Sequence, residues 1–193
     1  MRNILIAVGS GLSGANTDRL ADAFARGAAE AGHTVHKIFL GKGELNGCRG
    51  CGVCQTGKGC AIGDIMQEVY PILRECDTIV LASPLYFWTL SGQIKTFFDR
   101  IYALSREDIY PHRDTVLLMT SGDDGAHTFD HALDYYRFIT SALGWTDLGS
   151  CLAGGCKGGP GRHAIAPEHL ERAYRLGRDL PAPTKRQSEE NKP

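Results

Sequence analysis

Leu81–Arg100 reads LASPLYFWTLSGQIKTFFDR, and Thr78-Ile79-Val80 stands directly ahead of it. Thr78 to Ala82 is a nearly continuous apolar run, β-branched at its start, the pattern of a strand buried on both faces inside a parallel sheet. Ser83-Pro84 is expected to end that strand, because proline cannot donate to the ladder and pushes its predecessor towards extended geometry. Three aromatics follow in a row, Tyr86-Phe87-Trp88, with no alternation that hides all three. From Gly92 the period turns helical, with Ile94, Phe97, Phe98, Ile101 and Leu104 on one face and Lys95, Asp99 and Arg100 mostly elsewhere. Aromatic surface therefore sits at the carboxyl end of a buried strand, where open α/β sheets place their ligands. The competing reading, a hydrophobic plug under a crossover, sits poorly with the habit of loops to lie on the surface.

Outward from this stretch the same alternation repeats. Ile4 to Val8 is a second buried strand, followed by a helix through Leu20, Ala23, Phe24 and Ala28 that ends at Gly32. His33 to Leu40 is a strand of mixed polarity, suited to a sheet edge. A helix is expected from about Ile62 to Arg74, and Cys76 beyond it reads as a small buried hydrophobe. Arg106 to Arg113 is a polar connector, Thr115 to Met119 a fourth strand, Phe129 to Leu143 a helix and Trp145 to Leu152 a fifth strand. A loop is expected over 154–161, and Pro167-Glu168 opens a last helix. Five strands alternating with five helices make a doubly wound parallel sheet, for which the strand order 2-1-3-4-5 is the natural choice. Residues 1–180 are expected to form one domain. Residues 181–193, PAPTKRQSEENKP, lack apolar content to bury and are expected to be a disordered tail.

Composition narrows the function. With 42% hydrophobic residues, a formal charge of −1 and no basic stripe, nothing calls for nucleic acid. No segment approaches the roughly 18 apolar residues that span a bilayer, and the run at Ile4–Val8 is too short for a signal peptide. Seven cysteines in such a chain point to a reducing compartment, the cytoplasm, and to metal or redox chemistry rather than a disulfide framework.

Two motifs carry chemistry. Gly9-Ser10-Gly11-Leu12-Ser13-Gly14-Ala15-Asn16-Thr17 joins the first strand to its helix and offers N–H groups and a positive dipole end to a phosphate. A Walker loop needs lysine where Ala15 stands. The G-x-G-x-x-G spelling lacks its acidic partner, since the second strand closes in Phe39-Leu40-Gly41. A flavin-type loop holding a monophosphate through Ser10, Ser13, Asn16 and Thr17 fits the hydroxyls best, and simple helix capping is the bland alternative. The phosphatase on this fold needs Cys-x5-Arg after the first strand, and neither residue is there. The second motif is Cys48-x2-Cys51-x2-Cys54-x5-Cys60, in a loop over 46–61 carrying Gly47, Gly50, Gly52, Gly57 and Gly59. Glycines permit the tight folding that convergence of four thiols demands. A [4Fe–4S] cluster, unmetallated thiols and zinc all remain open from spacing alone. His112, His127 and His163 have no partner at motif spacing and read as solvated.

With both loops and the cysteine run in place, the chain resembles the flavodoxin-like NAD(P)H-dependent FMN reductases, and within them the iron–sulfur flavoproteins. The resemblance rests on Gly-Ser…Asn-Thr, on the cysteine run leading to Asp64 and Met66, and on Ser-Pro-Leu-Tyr…Lys95…Asp99-Arg100. It implies FMN as cofactor, with phosphate at Ser10, Ser13, Asn16 and Thr17. It places the isoalloxazine between Pro84, Leu85, Tyr86, Phe87, Trp88 and Thr120, Ser121, Gly122, Asp123, Gly125. It implies a [4Fe–4S] cluster on Cys48, Cys51, Cys54 and Cys60, although many relatives retain these cysteines without one. The chain departs from the family at Gly11-Leu12, where many members carry proline and a basic residue, and at Asp64-Ile65 in place of Asp-Asp. NAD(P)H is the implied donor, and a small redox substrate or an electron-carrier protein the implied acceptor. No catalytic side chain is implied, because the flavin carries the hydride chemistry. A homodimer or homotetramer is expected, and a one-electron carrier without its own NAD(P)H oxidation is the alternative.

Overall fold

The structure, a computed structural model, describes residues 1–107, 109–158 and 164–183. Five strands, β1 (Asn3–Val8), β2 (Thr34–Phe39), β3 (Thr78–Pro84), β4 (Asp114–Thr120) and β5 (Thr146–Ala153), form one sheet in the order 2-1-3-4-5, and every pairing is parallel. Five helices connect or follow them: α1 (Asn16–Glu30), α2 (Met66–Glu75), α3 (Gly92–Arg100), α4 (Asp130–Ala142) and α5 (Pro167–Arg178). This is the doubly wound arrangement anticipated from the alternating pattern, with β2 at the edge and half-buried along most of its length.

The interior strands are apolar throughout because each face meets helices. Leu5, Ala7, Ile79, Leu81, Leu117 and Met119 pack with Met66, Val69 and Leu73 of α2, Phe97 and Phe98 of α3 and Tyr136 of α4. Their sequence neighbours Ile4, Ile6, Val8, Val80, Ala82, Val116 and Leu118 point the other way, onto Leu20, Phe24 and Ala28 of α1 and Ala173 of α5. That alternation is the period-2 consequence of the pleat. α1 and α5 approach backbone to backbone. A Cβ on Gly27 would lie 2.0 Å from the Tyr174 carbonyl oxygen, and one on Gly177 would lie 2.2 Å from that of Phe24.

The local structure departs from the sequence pattern at several points. β3 does not stop at Ala82: Ser83 and Pro84 keep pairing with Met119 and Thr120, Pro84 being the last residue, where its missing donor costs least. α2 starts at Met66, four residues later than the apolar pattern suggested, because Asp64 turns the chain there and accepts from the Met66 N–H at 3.1 Å. Arg100, which the helical period sets off the apolar face, is nevertheless buried, at 1% exposure. At the start of the expected tail, the buried Arg2 guanidinium donates to the carbonyls of Pro181 (2.7 Å) and Ala182 (2.9 Å). The rest of the expected tail, and His163, lie outside the described residues. Cys76 is fully buried, as expected.

Candidate functional site

In the order 2-1-3-4-5, β1 and β3 are neighbours whose following helices leave on opposite faces, so the loops after β1, β3 and β4 rise around one crevice at the carboxyl edge. Gly9 is required by packing. A Cβ there would lie 2.4 Å from Ile94 Cγ1 and 2.5 Å from Ser91 Oγ, so its absence lets the first loop pass against the start of α3. Gly14 is needed for its left-handed φ of 75°, whereas Gly11 faces open space. Ala15 caps α1 without a side-chain bond, so the N–H groups of its first turn lack intrahelical acceptors and face the loop with the positive dipole end behind them.

The side chains expected to hold phosphate take different roles. Ser10 Oγ accepts from the Leu12 N–H at 3.2 Å, closing a local turn. Ser13 Oγ donates to Asp18 Oδ2 at 3.3 Å, and the Gly14 N–H donates to the same oxygen at 2.7 Å. Asp18, which sequence reasoning passed over, is buried and braces the loop from the third helical position, a variant of the capping box. Lys37 on β2 meets Asp18 Oδ1 and Asp22 Oδ1, each at 2.5 Å. Burial works to raise the Asp18 carboxyl, but the Gly14 N–H, Lys37 and Ser13 outweigh it and hold it below the usual carboxylate range.

Thr17 and Thr120 join the first and third of these loops. Their hydroxyls lie 2.6 Å apart, both side chains buried, across 103 positions of sequence. Asn16 reaches the loop after β5, its Nδ2 donating to the Lys157 carbonyl at 2.8 Å. Its Oδ1 is buried and has no hydrogen-bond partner among the described residues. A buried acceptor left this way is costly unless something else fills it, so Asn16 Oδ1 is where a ligand hydroxyl or N–H fits the crevice.

The loop after β3 is tied to the same floor, because the Leu85 N–H donates to the Thr120 carbonyl at 2.8 Å. Its base is closed by Ser83 Oγ, which accepts from the Ser91 N–H at 2.9 Å, while Ser91 Oγ caps α3. Tyr86 and Thr89 exchange both backbone hydrogen bonds, at 3.0 and 3.1 Å, across a two-residue turn made of Phe87 and Trp88. Both turn residues are left-handed, φ 47° and 60°, where Asn-Gly is usual and each non-glycine residue costs roughly 1–2 kcal/mol. The strained pair is also exposed, Phe87 at 92% and Trp88 at 63%, with Tyr86 at 54%. Pro84 and Leu85 are half-buried beneath them. Opposite, Ser121 is buried and its carbonyl accepts from the Cys156 N–H at 2.8 Å. Gly122, Asp123 and Gly125 are exposed, and Asp123 accepts from the Thr128 hydroxyl.

The cysteine loop is organised by Arg100, a residue that periodicity set off the apolar face of its helix. Arg100 Nη1 donates to the Asn46 carbonyl at 2.7 Å and to Asp64 Oδ2 at 2.6 Å, and Nη2 donates to Asp64 Oδ1 at 3.0 Å. Asp64 Oδ2 also accepts from the Asn46 N–H at 2.9 Å. One buried ion pair thus clasps both ends of the loop over 46–61, and Gln67 Nε2 adds bonds to the carbonyls of Cys60 (3.0 Å) and Ile62 (2.7 Å). Burial would raise the Asp64 carboxyl, yet the Arg100 guanidinium and the N–H groups of Asn46 and Met66 hold it low. Burial likewise opposes ionisation of Cys60, but the Ile62 N–H, the Tyr70 hydroxyl and Arg100 bring its thiol below the ordinary range. Cys48 and Cys51 are exposed, and Cys54 and Cys60 half-buried. The structure does not bring the four sulfurs together as a coordination set: among the described residues no group of three or more His, Cys, Asp and Glu side chains is placed to hold a metal ion. Cys151 and Cys156 are buried elsewhere, their thiols pushed up by burial.

Known proteins share this architecture. An NAD(P)H:quinone oxidoreductase from Methanothermobacter marburgensis superposes with a TM-score of 0.69 at 20% identity, covering 91% of this chain and 97% of that one. An azoreductase from Bacillus anthracis superposes at 0.66 with 20% identity, covering 93% and 100%. At that identity they establish the fold alone. In sequence, an iron-sulfur flavoprotein of Archaeoglobus fulgidus is 28% identical over 166 residues, 84% of this chain and 71% of the relative. Another, from Methanosarcina thermophila, is 33% identical over 100 residues, about half of each chain. Residues 1–155, from β1 through β5 and so including all three crevice loops and the cysteine loop, match one family. By that match the chain belongs to the NADPH-dependent FMN reductase family.

Proposed function

We propose that this chain is an FMN-dependent oxidoreductase that takes electrons from NAD(P)H and passes them to a small redox substrate or an electron-carrier protein. The observation that carries the reading is the crevice itself. Three loops, bonded to one another through Thr17, Thr120 and Leu85, surround a buried acceptor, Asn16 Oδ1, that the described residues leave unpartnered. A phosphate offers only acceptors, so Asn16 Oδ1 suits a ribityl hydroxyl, and the phosphate falls to Ser10, Thr17 and the free N–H groups of the first turn of α1. Pro84 to Trp88 and Thr120 to Gly125 would flank the ring system. Bound FMN would supply hydride acceptance at its ring and release of electrons singly or in pairs. The protein's part is position: the Thr120 carbonyl is committed to Leu85 and the Thr128 hydroxyl to Asp123, and hydride transfer to a bound flavin calls for no acid or base of the protein.

The test is an absorbance spectrum and FMN titration of purified protein, followed by mixing with excess NADPH or NADH and a small quinone. One FMN per chain with many turnovers supports the reading. FMN that binds but is never reduced by either nucleotide leaves a one-electron carrier, and no FMN binding overturns it.

A [4Fe–4S] cluster on Cys48, Cys51, Cys54 and Cys60 is a second, separable proposal. It is supported by their spacing, by the left-handed glycines 50, 52, 57 and 59 that let the loop close, and by the names of the relatives. The thiols as placed do not fit it without rearrangement of that loop, so no electron is routed through it here. Iron and sulfide analysis of protein made without oxygen decides it: about four of each per chain, or none.

A further inference from the structure

The phosphate loop lacks a cation of its own, since Gly11 and Leu12 stand where a basic residue would serve, and it already contains an anion. Asp18 sits buried under it, bonded to the Ser13 hydroxyl and the Gly14 N–H. Those bonds fix the loop's shape, but a carboxylate buried beneath the loop would repel a phosphate dianion held by it, through a partly desolvated interior where charges act more strongly than in water. Lys37 answers it from a different element. It reaches from the edge strand β2 to Asp18 and to the exposed Asp22, its side chain only 26% exposed.

We propose that Asp18 and Lys37 act together as a charge-balanced brace for the phosphate of a bound flavin mononucleotide: Asp18 shapes the loop, and Lys37 cancels the charge that would otherwise reject the ligand. This rests on the phosphate lying at the loop over 9–17. Both are positioning residues, acting through the loop. The low-lying Asp18 carboxyl accords with it, because the brace keeps Asp18 ionised and in need of a counter-charge.

The proposal separates charge from shape. Lys37→Met leaves the Asp18 carboxylate in place and unbalanced, so FMN affinity should fall about tenfold or more while riboflavin, which has no phosphate, binds as before. Lys37→Arg should restore FMN binding. Asp18→Asn with Lys37→Met removes both charges and keeps an amide oxygen for the Gly14 N–H, so FMN affinity should return to within about threefold of wild type. Binding is read by quenching of flavin fluorescence on the full-length protein, with thermal melting of the flavin-free variants alongside. Equal losses for FMN and riboflavin in Lys37→Met would mean a merely structural role and overturn the brace. So would a double variant no better than Lys37→Met, or a loss on Lys157→Met with none on Lys37→Met. A wild-type protein that binds riboflavin as tightly as FMN overturns the phosphate site itself. A clear FMN preference that survives Lys37→Met intact overturns the brace alone.

Discussion

Replacing Arg100 by methionine tests the clasp on the cysteine loop. Methionine fills most of the volume, so the cavity left behind is small and the effect is electrostatic. The Asp64 side chain is fully buried and would keep its charge with two backbone N–H groups but no cation, while the Asn46 carbonyl loses its donor. Removing one partner of a buried pair typically costs about 3–5 kcal/mol. At roughly 2–4 °C per kcal/mol for a chain of this size, the melting temperature should drop by about 6–20 °C. Asp64→Asn with Arg100→Met should cost less than the sum of the single changes, because no uncompensated charge remains. Urea unfolding of flavin-free protein supplies the free energies, and hydrogen exchange at the Asn46 amide reports the loop end directly. A loss under about 1 kcal/mol in Arg100→Met, with Asn46 still protected, would refute the argument that this pair holds the loop.

Acid should act on the same groups. Asp18 and Asp64 are held below their unfolded value of about 3.9, so their contribution is complete above about pH 5 and is lost as pH falls through the lower folded values. The melting temperature of wild type should therefore decline below about pH 4, and Asp64→Asn should flatten that decline. If Asn16 and Thr17 hold FMN as proposed, changing both to alanine would remove two hydrogen bonds to it, one to a charged phosphate, and should weaken FMN by about a hundredfold; unchanged affinity places the ligand elsewhere. Phe87→Asn with Trp88→Gly suits the left-handed turn and should raise the melting temperature of dissociated protein. The same change removes the exposed aromatic pair at the tip of that loop and should weaken self-association. Light scattering on wild type should give a mass well above 20.9 kDa, and a monomer at micromolar concentration would sink that expectation. Cys51→Ser should abolish any broad cluster absorption, while Cys76→Ser should leave it.

What the chain disclosed in advance follows from how far each signal travels. Buried strands announce themselves locally: Ile4 to Val8 and Thr78 to Ala82 are apolar because both faces of the sheet are covered, and strand order followed from alternation with helices. The loops at the carboxyl ends were legible for the same reason. Arg100 was not, because helical period places it beside Asp99 and only a partner 36 residues upstream buries it. Phe87 and Trp88 carried no turn signature, since neither is a residue that favours positive φ. The tie between Thr17 and Thr120 spans 103 residues and leaves no mark in either motif. The cysteine spacing was plain, but spacing does not say whether sulfurs meet.

The glycine crossing of α1 and α5 has a reach beyond packing. α1 begins at the crevice, and its axis is set in its carboxyl-terminal half, at Phe24 and Gly27, by direct backbone contact with α5. Side chains at an interface can yield by rotating; carbonyls and peptide nitrogens cannot. A displacement of α5 is therefore passed rigidly along α1 to the N–H groups at its start. Alanine at position 27 or 177 should be felt as a change in flavin affinity nearly as much as in stability, and neither position tolerates change independently of the other. The aim of that N-terminal end is set by α5, which lies beyond residues 1–155, the span that matches the family.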